Sequence, residues 1–375
     1  MKIAIDARFL GPEGAGLGKY AENLLEHIQD KDKVNEYFVI LKEANIHLFK
    51  PKSPNFKKVL VNAKWYSPKE QVLIPLALRK IKPDLVHFLS YNVPLLWKGN
   101  FVVTIYDLTK TEFGAQASNV NNPLLYSIKQ AFYKRTIKKA IDDSTKIIAG
   151  SDSTKNKLVK IYQAEERKIT TIYAGTEKSY LASKRREIND KERILSSYNV
   201  RKPFILYVGN AFPYKNLSVV LKALKLLDKR ANLVYVSPRN DFVEKLIEEA
   251  KKLGVEDRLV ITGYVPNDDL SVFYRSAEFF VFPSLSEGFG LPGLEAMASR
   301  CPVVCSSIEV FEEIYVDGAL YFDPKSPGEL ANKINLVFGN KNLREKLINN
   351  ALKQVKKYSW DKTASETLRV YNSLR

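Results

Sequence analysis

The chain has 375 residues, carries 59 Lys and Arg against 42 Asp and Glu, and holds a formal net charge of +17. That length suits two domains better than one core, and no stretch approaches the roughly eighteen apolar residues of a membrane-spanning helix. Histidines at positions 27, 47 and 87 share no ligand spacing, and Cys301 and Cys305 lie about 13 Å apart along an extended run, which argues against a zinc site and a disulfide.

The opening MKIAIDARFL reads as a short strand running into a loop rather than as a signal peptide, so a cytoplasmic protein is expected. Positive charge is concentrated early: residues 1–190 carry roughly +12 and the remainder roughly +5. Two readings stand for it, an anionic partner such as a membrane surface or a phosphate-bearing substrate, or a set of solvated lysines.

In chain order, Lys2–Asp6 suits a first strand, and the loop GPEGAGLG leads into a helix from Lys19 to Ile28. Strands follow at 37–41 and 59–61, a helix at 71–80, then the strands LVHF (85–88) and FVVTIYDL (101–108). A proline-initiated helix from Pro123 to about Ala140 precedes the strand KIIAGS, and Ser153 is a cap candidate for the next helix. Residues 178–200 are charged and carry no strand, which marks a linker and an entry helix. The βα alternation restarts at PFILYVGN and continues through LVYVS, RLVITGYV, FFVFPS, PVVCSS and ALYFDP. A last helix runs from Ser359, as its cap, to about Leu374. The expected class is α/β, two Rossmann-like domains facing each other across a cleft.

The densest stretch is FPSLSEGFGLPGLEAMASRCPVVC, residues 282–305. A buried strand ends at Pro283, Glu287 opens a turn containing Gly288, Phe289 and Gly290, and a helix starts near Leu291. Helix N-termini present N–H groups without intrahelical acceptors, and glycine lets a ligand come close to them, so the geometry favours a phosphate. Glu287 and Glu295 frame the turn with seven residues between them.

This pattern resembles the E-x7-E signature of retaining family 4 glycosyltransferases with the GT-B fold, particularly the mannosyltransferase-like branch that opens with IDAR and a Gly-rich loop. The similarity runs from KIAIDARFL through the Glu287 stretch to YSWDKTA, nearly the whole chain. It implies an acceptor-binding domain over 1–185, a nucleotide-sugar-binding domain over 186–357, and a helix over 358–375 crossing back to the first domain. It also implies metal-independent, retaining transfer of a hexose, mannose or glucose, from a nucleotide diphosphate sugar to a saccharide or lipid-linked saccharide, with no cofactor.

Residue by residue, the resemblance places Lys215 on the donor diphosphate, Glu287 on the hexose hydroxyls and Glu295 on the ribose. The amides of Gly288, Phe289, Gly290 and Leu291 would face the sugar and phosphate, and Val265 the nucleobase. Gly16 and Gly18 would let the acceptor-side loop approach the diphosphate. Two departures matter. Asn210 stands where the family has an arginine, so one positive charge is missing and leaving-group stabilisation falls on Lys215, the Leu291 helix, and Lys19 or Arg8. Tyr106 stands where the family frequently has a histidine against the donor sugar; with an ordinary pKa of about 10 it is a poor base near neutrality. Asp107 is the available carboxylate there, as a catalytic candidate or a loop cap, and His87, at a strand end, is either a sugar-side residue or a satisfied core histidine.

The run KQAFYKRTIKK sets Phe132 and Tyr133 among cations, either as one packed and one solvated face or as a peripheral contact with an anionic membrane. An oxidoreductase needs a GxGxxG turn followed by an acid, which neither half supplies, and no nucleic-acid module is present. A catalytically silent nucleotide-sugar binder is the alternative that Asn210 and Tyr106 leave open.

Overall fold

The computed structural model describes residues 1–114, 122–181, 188–227, 232–237 and 241–375. They form two compact units: the first takes 1–108, 122–175 and 358–375, and the second takes 109–114 and the described part of 176–357. The expected boundary at 185/186 lies outside the described residues, as does part of the expected linker.

In the first unit, β1 (Lys2–Asp6), β2 (Glu36–Leu41), β3 (Phe56–Leu60), β4 (Leu85–Phe88), β5 (Phe101–Ile105), β6 (Lys146–Ala149) and β7 (Ile169–Thr171) make one sheet in the order β3-β2-β1-β4-β5-β6-β7. Every pairing is parallel. Helices cover both faces of such a sheet, which is why Ile3, Ala4 and Ile5 of β1 are wholly buried and why the inner strands read as continuous apolar runs. The chain steps outward from β1 to β3 and then returns to β4 on the other side of β1. Loops after β1 and β4 therefore diverge, and the crevice beyond their C-terminal ends is where ligands of such sheets collect.

The second unit repeats the scheme with β8 (Phe204–Val208), β9 (Asn232–Val236), β10 (Leu259–Gly263), β11 (Phe279–Phe282), β12 (Val303–Ser306) and β13 (Ala319–Phe322), ordered β10-β9-β8-β11-β12-β13. All pairings are again parallel. Its switch point lies between β8 and β11. The loops after these two strands are tied together there by Leu285 N–H donating to the carbonyl of Tyr214, 2.8 Å.

Several sequence expectations shift. The edge strand β3 begins three residues early, because its adjacent lysines mask the pattern. β7, only Ile-Thr-Thr, is too short to stand out from its surroundings and is absent from the expected strands. Ser151, not Ser153, caps the helix Asp152–Tyr162, its hydroxyl accepting from Thr154 N–H at 3.1 Å. The closing helix Trp360–Asn372 is capped by Ser359, which accepts from Lys362 N–H at 3.2 Å, and it belongs to the first unit. Gly175 makes that docking possible: a Cβ there would lie 2.0 Å from the backbone nitrogen of Trp360. Cys301 and Cys305 are free and buried, and burial pushes both thiols up.

Candidate functional site

The switch point of the second unit gathers most of the singled-out residues. β8 is followed by Gly209 and Asn210, and a single 3-10 turn, Pro213–Lys215, brings Lys215 round. Its ammonium lies 2.5 Å from Glu287 Oε1, with both side chains only 13% exposed. Ser284 Oγ donates to the same oxygen at 2.8 Å. The resting site thus contains a nearly enclosed ion pair in which one carboxylate oxygen serves two donors. Asn210 is turned to structural use: its carbonyl accepts from Tyr207 OH at 2.8 Å, and its Oδ1 lies 3.4 Å from Phe212 N–H.

Gly290 adopts φ +93° and precedes the helix Leu291–Ala298. Gly288, Phe289 and Gly290 are buried and Leu291 half-buried, so this turn is packed rather than loose. Glu295 is buried one turn into the helix, and Tyr274 OH donates to its Oε2 at 3.2 Å. Val265 is buried in the loop after β10. A segment the sequence did not flag joins this unit: in the short helix Thr109–Phe113, Glu112 Oε2 accepts from Ser286 Oγ at 2.7 Å, and the Phe113 ring lies 5.9 Å from that of Tyr214.

The first unit holds the remaining candidates, and of the two readings open for His87 the core one is observed. His87 is fully buried, with Nδ1 2.6 Å from Tyr371 OH and Nε2 2.8 Å from Thr104 Oγ1. Burial pushes its pKa down to about 3. It is a satisfied core histidine and has no ring nitrogen left for a sugar. Tyr106 lies edge-on to Tyr20, ring centroids 4.5 Å apart, and its hydroxyl is buried, so it does not offer a sugar-side hydroxyl. Burial, and then the neighbouring Tyr20, push its pKa well above the ordinary value. Asp107, the next residue, is half-buried at the end of β5.

Arg8 is also inside. Its guanidinium reaches Asp6 Oδ2 at 2.7 Å, Glu70 Oε2 at 3.1 Å and the carbonyl of Ala63 at 3.1 Å. Burial alone would lower its pKa, but Asp6 and Glu70 outweigh burial and hold it charged. It braces the loop after β1 and is not available to a leaving phosphate.

Gly16 and Gly18 differ sharply. A Cβ on buried Gly18 would lie 2.1 Å from the carbonyl oxygen of Gly11, so glycine is required where the loop folds back on the helix Ala15–Lys31. Gly16 is exposed and has nothing within 4 Å of such a Cβ.

A family described as glycosyl transferases group 1 matches residues 189–354, the span that holds Lys215, Glu287 and Glu295. An uncharacterized glycosyltransferase of Methanocaldococcus jannaschii is 30% identical over 295 residues, covering 76% of this chain and 73% of the relative. The chain belongs to the group 1 glycosyl transferases. Within this family, the O-antigen chain mannosyltransferase RfbU of Salmonella typhimurium is 26% identical over 332 residues, 84% of this chain and 85% of the relative. The fold is that of HepE from Anabaena, solved in complex with UDP-glucose, at a TM-score of 0.77, 17% identity and coverage of 99% and 100% of the two chains. This group 1 transferase is therefore a GT-B glycosyltransferase of the mannosyltransferase-like branch.

Some residues of the site escaped sequence reading. Ser284 and Ser286 lie inside the elbow but carry no signal apart from position, whereas Tyr274 and Tyr315 are distant in sequence from the groups they hold.

Proposed function

We propose that the chain transfers a hexose, mannose or glucose, from a nucleotide diphosphate sugar to a saccharide or lipid-linked saccharide, with retention at the anomeric carbon and without a metal ion. The observation that carries this reading is the Lys215–Glu287 pair beside the glycine turn that starts the helix Leu291–Ala298. A cation, a carboxylate and a row of first-turn N–H groups meet there at the switch point of a parallel sheet. Lys215 holds the diphosphate, the N–H groups stabilise the charge that develops on it, and Glu287 holds hexose hydroxyls. Glu295, fixed by Tyr274, takes the ribose, and Val265 backs the base.

Chemistry then needs little from a protein base. As the glycosidic bond opens through an oxocarbenium-like state, the departing phosphate oxygen accepts the acceptor's proton on the same face. Asp107, half-buried at the end of β5, is the carboxylate of the first unit with a part in orienting the acceptor hydroxyl. Mannosyl transfer is favoured by the relationship to RfbU, named as a mannosyltransferase, and nucleotide-sugar use by HepE, solved with UDP-glucose. Nothing in the geometry favours a catalytically silent binder.

A peripheral membrane contact is part of the same proposal. Tyr133 packs inward, against Tyr91 with centroids 5.2 Å apart, but the helix Pro123–Asp142 exposes Leu124, Leu125 and Ile128 beside Lys129, Lys134 and Arg135. Apolar side chains ringed by cations suit an anionic lipid surface. Among the described residues no helix is long and apolar enough to cross a membrane.

Thermal shifts with UDP, GDP, ADP and NAD, followed by nucleotide release from the matching sugar donor, test the transferase reading. Stabilisation by one nucleoside diphosphate and release of it in the presence of an acceptor are expected. Stabilisation by NAD alone would overturn it.

A further inference from the structure

Tyr315 ends the helix Glu309–Tyr315, is wholly buried, and donates its hydroxyl to the carbonyl of Gly290 at 2.6 Å. The same carbonyl accepts from Gly293 N–H at 3.1 Å, closing the first helical turn. The phenol occupies the space in which side chains at two positions would otherwise sit. A Cβ on Gly290 or on Gly293 would lie 2.2 Å from the Tyr315 oxygen. These glycines are thus a consequence of the tyrosine as much as of a ligand.

The ring itself has little freedom. It stacks on Phe311 with centroids 5.1 Å apart, and Phe311 rests on Phe282 of β11 at 4.6 Å. Directly after Tyr315, Val316 adopts φ +48°, an uncommon conformation for a β-branched residue, and its carbonyl accepts from Tyr321 OH at 2.6 Å. The chain reversal after Tyr315 is thus tied down separately, by a second tyrosine whose hydroxyl does not reach Gly290. Burial keeps that phenol protonated and hence a donor.

A trans peptide is planar, with its C=O and N–H antiparallel. Fixing the Gly290 carbonyl on the Tyr315 hydroxyl therefore fixes the Leu291 N–H in the opposite direction within that plane. We infer that Tyr315 is a positioning residue for the donor: it sets the direction in which the first amide of the helix Leu291–Ala298 meets the diphosphate. This inference rests on the donor site of the proposed function. It assigns the residue no contact with the substrate.

The test compares wild type with Tyr315→Phe, which keeps the ring and removes the hydroxyl. Tyr321→Phe serves as the control, since it removes a hydroxyl from the same helix end without touching Gly290. Calorimetric titration uses whichever of UDP, GDP or ADP the wild type binds best, and also the corresponding nucleoside without phosphates. Tyr315→Phe should weaken diphosphate binding about tenfold, as expected for one misdirected charge-assisted hydrogen bond. Nucleoside affinity should stay within about twofold, and so should diphosphate affinity in Tyr321→Phe. During turnover, the KM for the sugar donor should rise with that loss.

Unchanged diphosphate affinity in Tyr315→Phe would overturn the inference and leave the transferase reading intact. Equal losses for nucleoside and diphosphate, or an equal loss in Tyr321→Phe, would also overturn it by showing general loosening. A wild type that binds none of the three diphosphates would overturn the donor site itself, and the inference with it.

Discussion

Replacing Glu287 by Gln separates two roles that the resting ion pair combines. Lys215 and Glu287 stand 2.5 Å apart at 13% exposure each, so the ammonium that is to meet a diphosphate is already engaged. Two unit charges about 4 Å apart in a medium of effective dielectric 20 attract by roughly 4 kcal/mol. Residual exposure and the ordering of a long lysine chain reduce this to about 2 kcal/mol, the usual net worth of a hydrogen bond to a charged group. A diphosphate must displace or share that contact. In Glu287→Gln the new amide oxygen would still accept from Lys215 and Ser284 but would leave the positive charge uncompensated, and nucleoside diphosphate affinity should rise by up to about tenfold. Sugar transfer should move the other way, with kcat/KM falling about a hundredfold because the hexose loses its anionic hydroxyl acceptor. Lys215→Ala should lower diphosphate affinity by about thirtyfold or more, since a buried carboxylate is then left facing the phosphate. Calorimetric titration of the nucleoside diphosphate against wild type and both variants, paired with nucleotide-release kinetics, reads each arm. If Glu287→Gln weakened diphosphate binding as much as Lys215→Ala, the carboxylate would be a structural brace and would not compete with the phosphate for Lys215.

Three further outcomes follow from the geometry. Gly16→Ala should raise stability by up to about 1 kcal/mol, from helix propensity in open space, while Gly18→Ala should unfold or strongly destabilise the first unit; a fall in activity with raised melting temperature in Gly16→Ala would place a ligand at that loop. The His87 imidazole is held down to about 3 in the folded chain but takes a proton near 6.5 when unfolded, so the unfolded state binds more protons between those values. Stability should therefore fall as pH drops below about 6.5, by about 2 kcal/mol at pH 5, with no contribution above it; thermal melts of wild type and His87→Gln with equal pH slopes would refute this. Asn210→Arg supplies the charge that relatives of the resembled family carry, and diphosphate affinity should improve severalfold by titration; no change would mean that the loop cannot aim the guanidinium at the phosphate.

The core strands were legible because a sheet covered on both faces needs unbroken apolar runs, and FILYV, FFVF and FVVTI satisfy that without tertiary information. Turn chemistry marked the glycine loop at 288–290 equally well. What stayed hidden was direction and partnership. A strand-end position suggests that His87 faces ligand, but strand residues alternate sides, and this one points at Thr104 and Tyr371. Tyr106 stands in the place of a sugar-contacting residue, yet its hydroxyl lies inside. Thr109–Phe113 is too short to show any periodicity, and its contacts lie far along the chain, Glu112 meeting Ser286 at a separation of 174. Tyr315 and Tyr274 are likewise defined by partners 25 and 21 residues distant, a relation that no local pattern encodes.

The placement of the helix Trp360–Asn372 bears on how the chain is born. Buried His87 finds one of its two hydrogen-bond partners only in Tyr371, and the hydroxyl of Thr363 donates to the carbonyl of Tyr173 at 2.7 Å. Until those residues leave the ribosome, the first unit has an open flank and an imidazole short of one partner. The sheet β8 to β13 is fully emerged earlier, by Phe322. Domains usually mature in the order in which they are translated; here, of the two units, the one whose strands are translated first is completed only after the other. A nascent chain stalled before residue 358 should accordingly protect the second sheet from protease while the first remains open to cleavage.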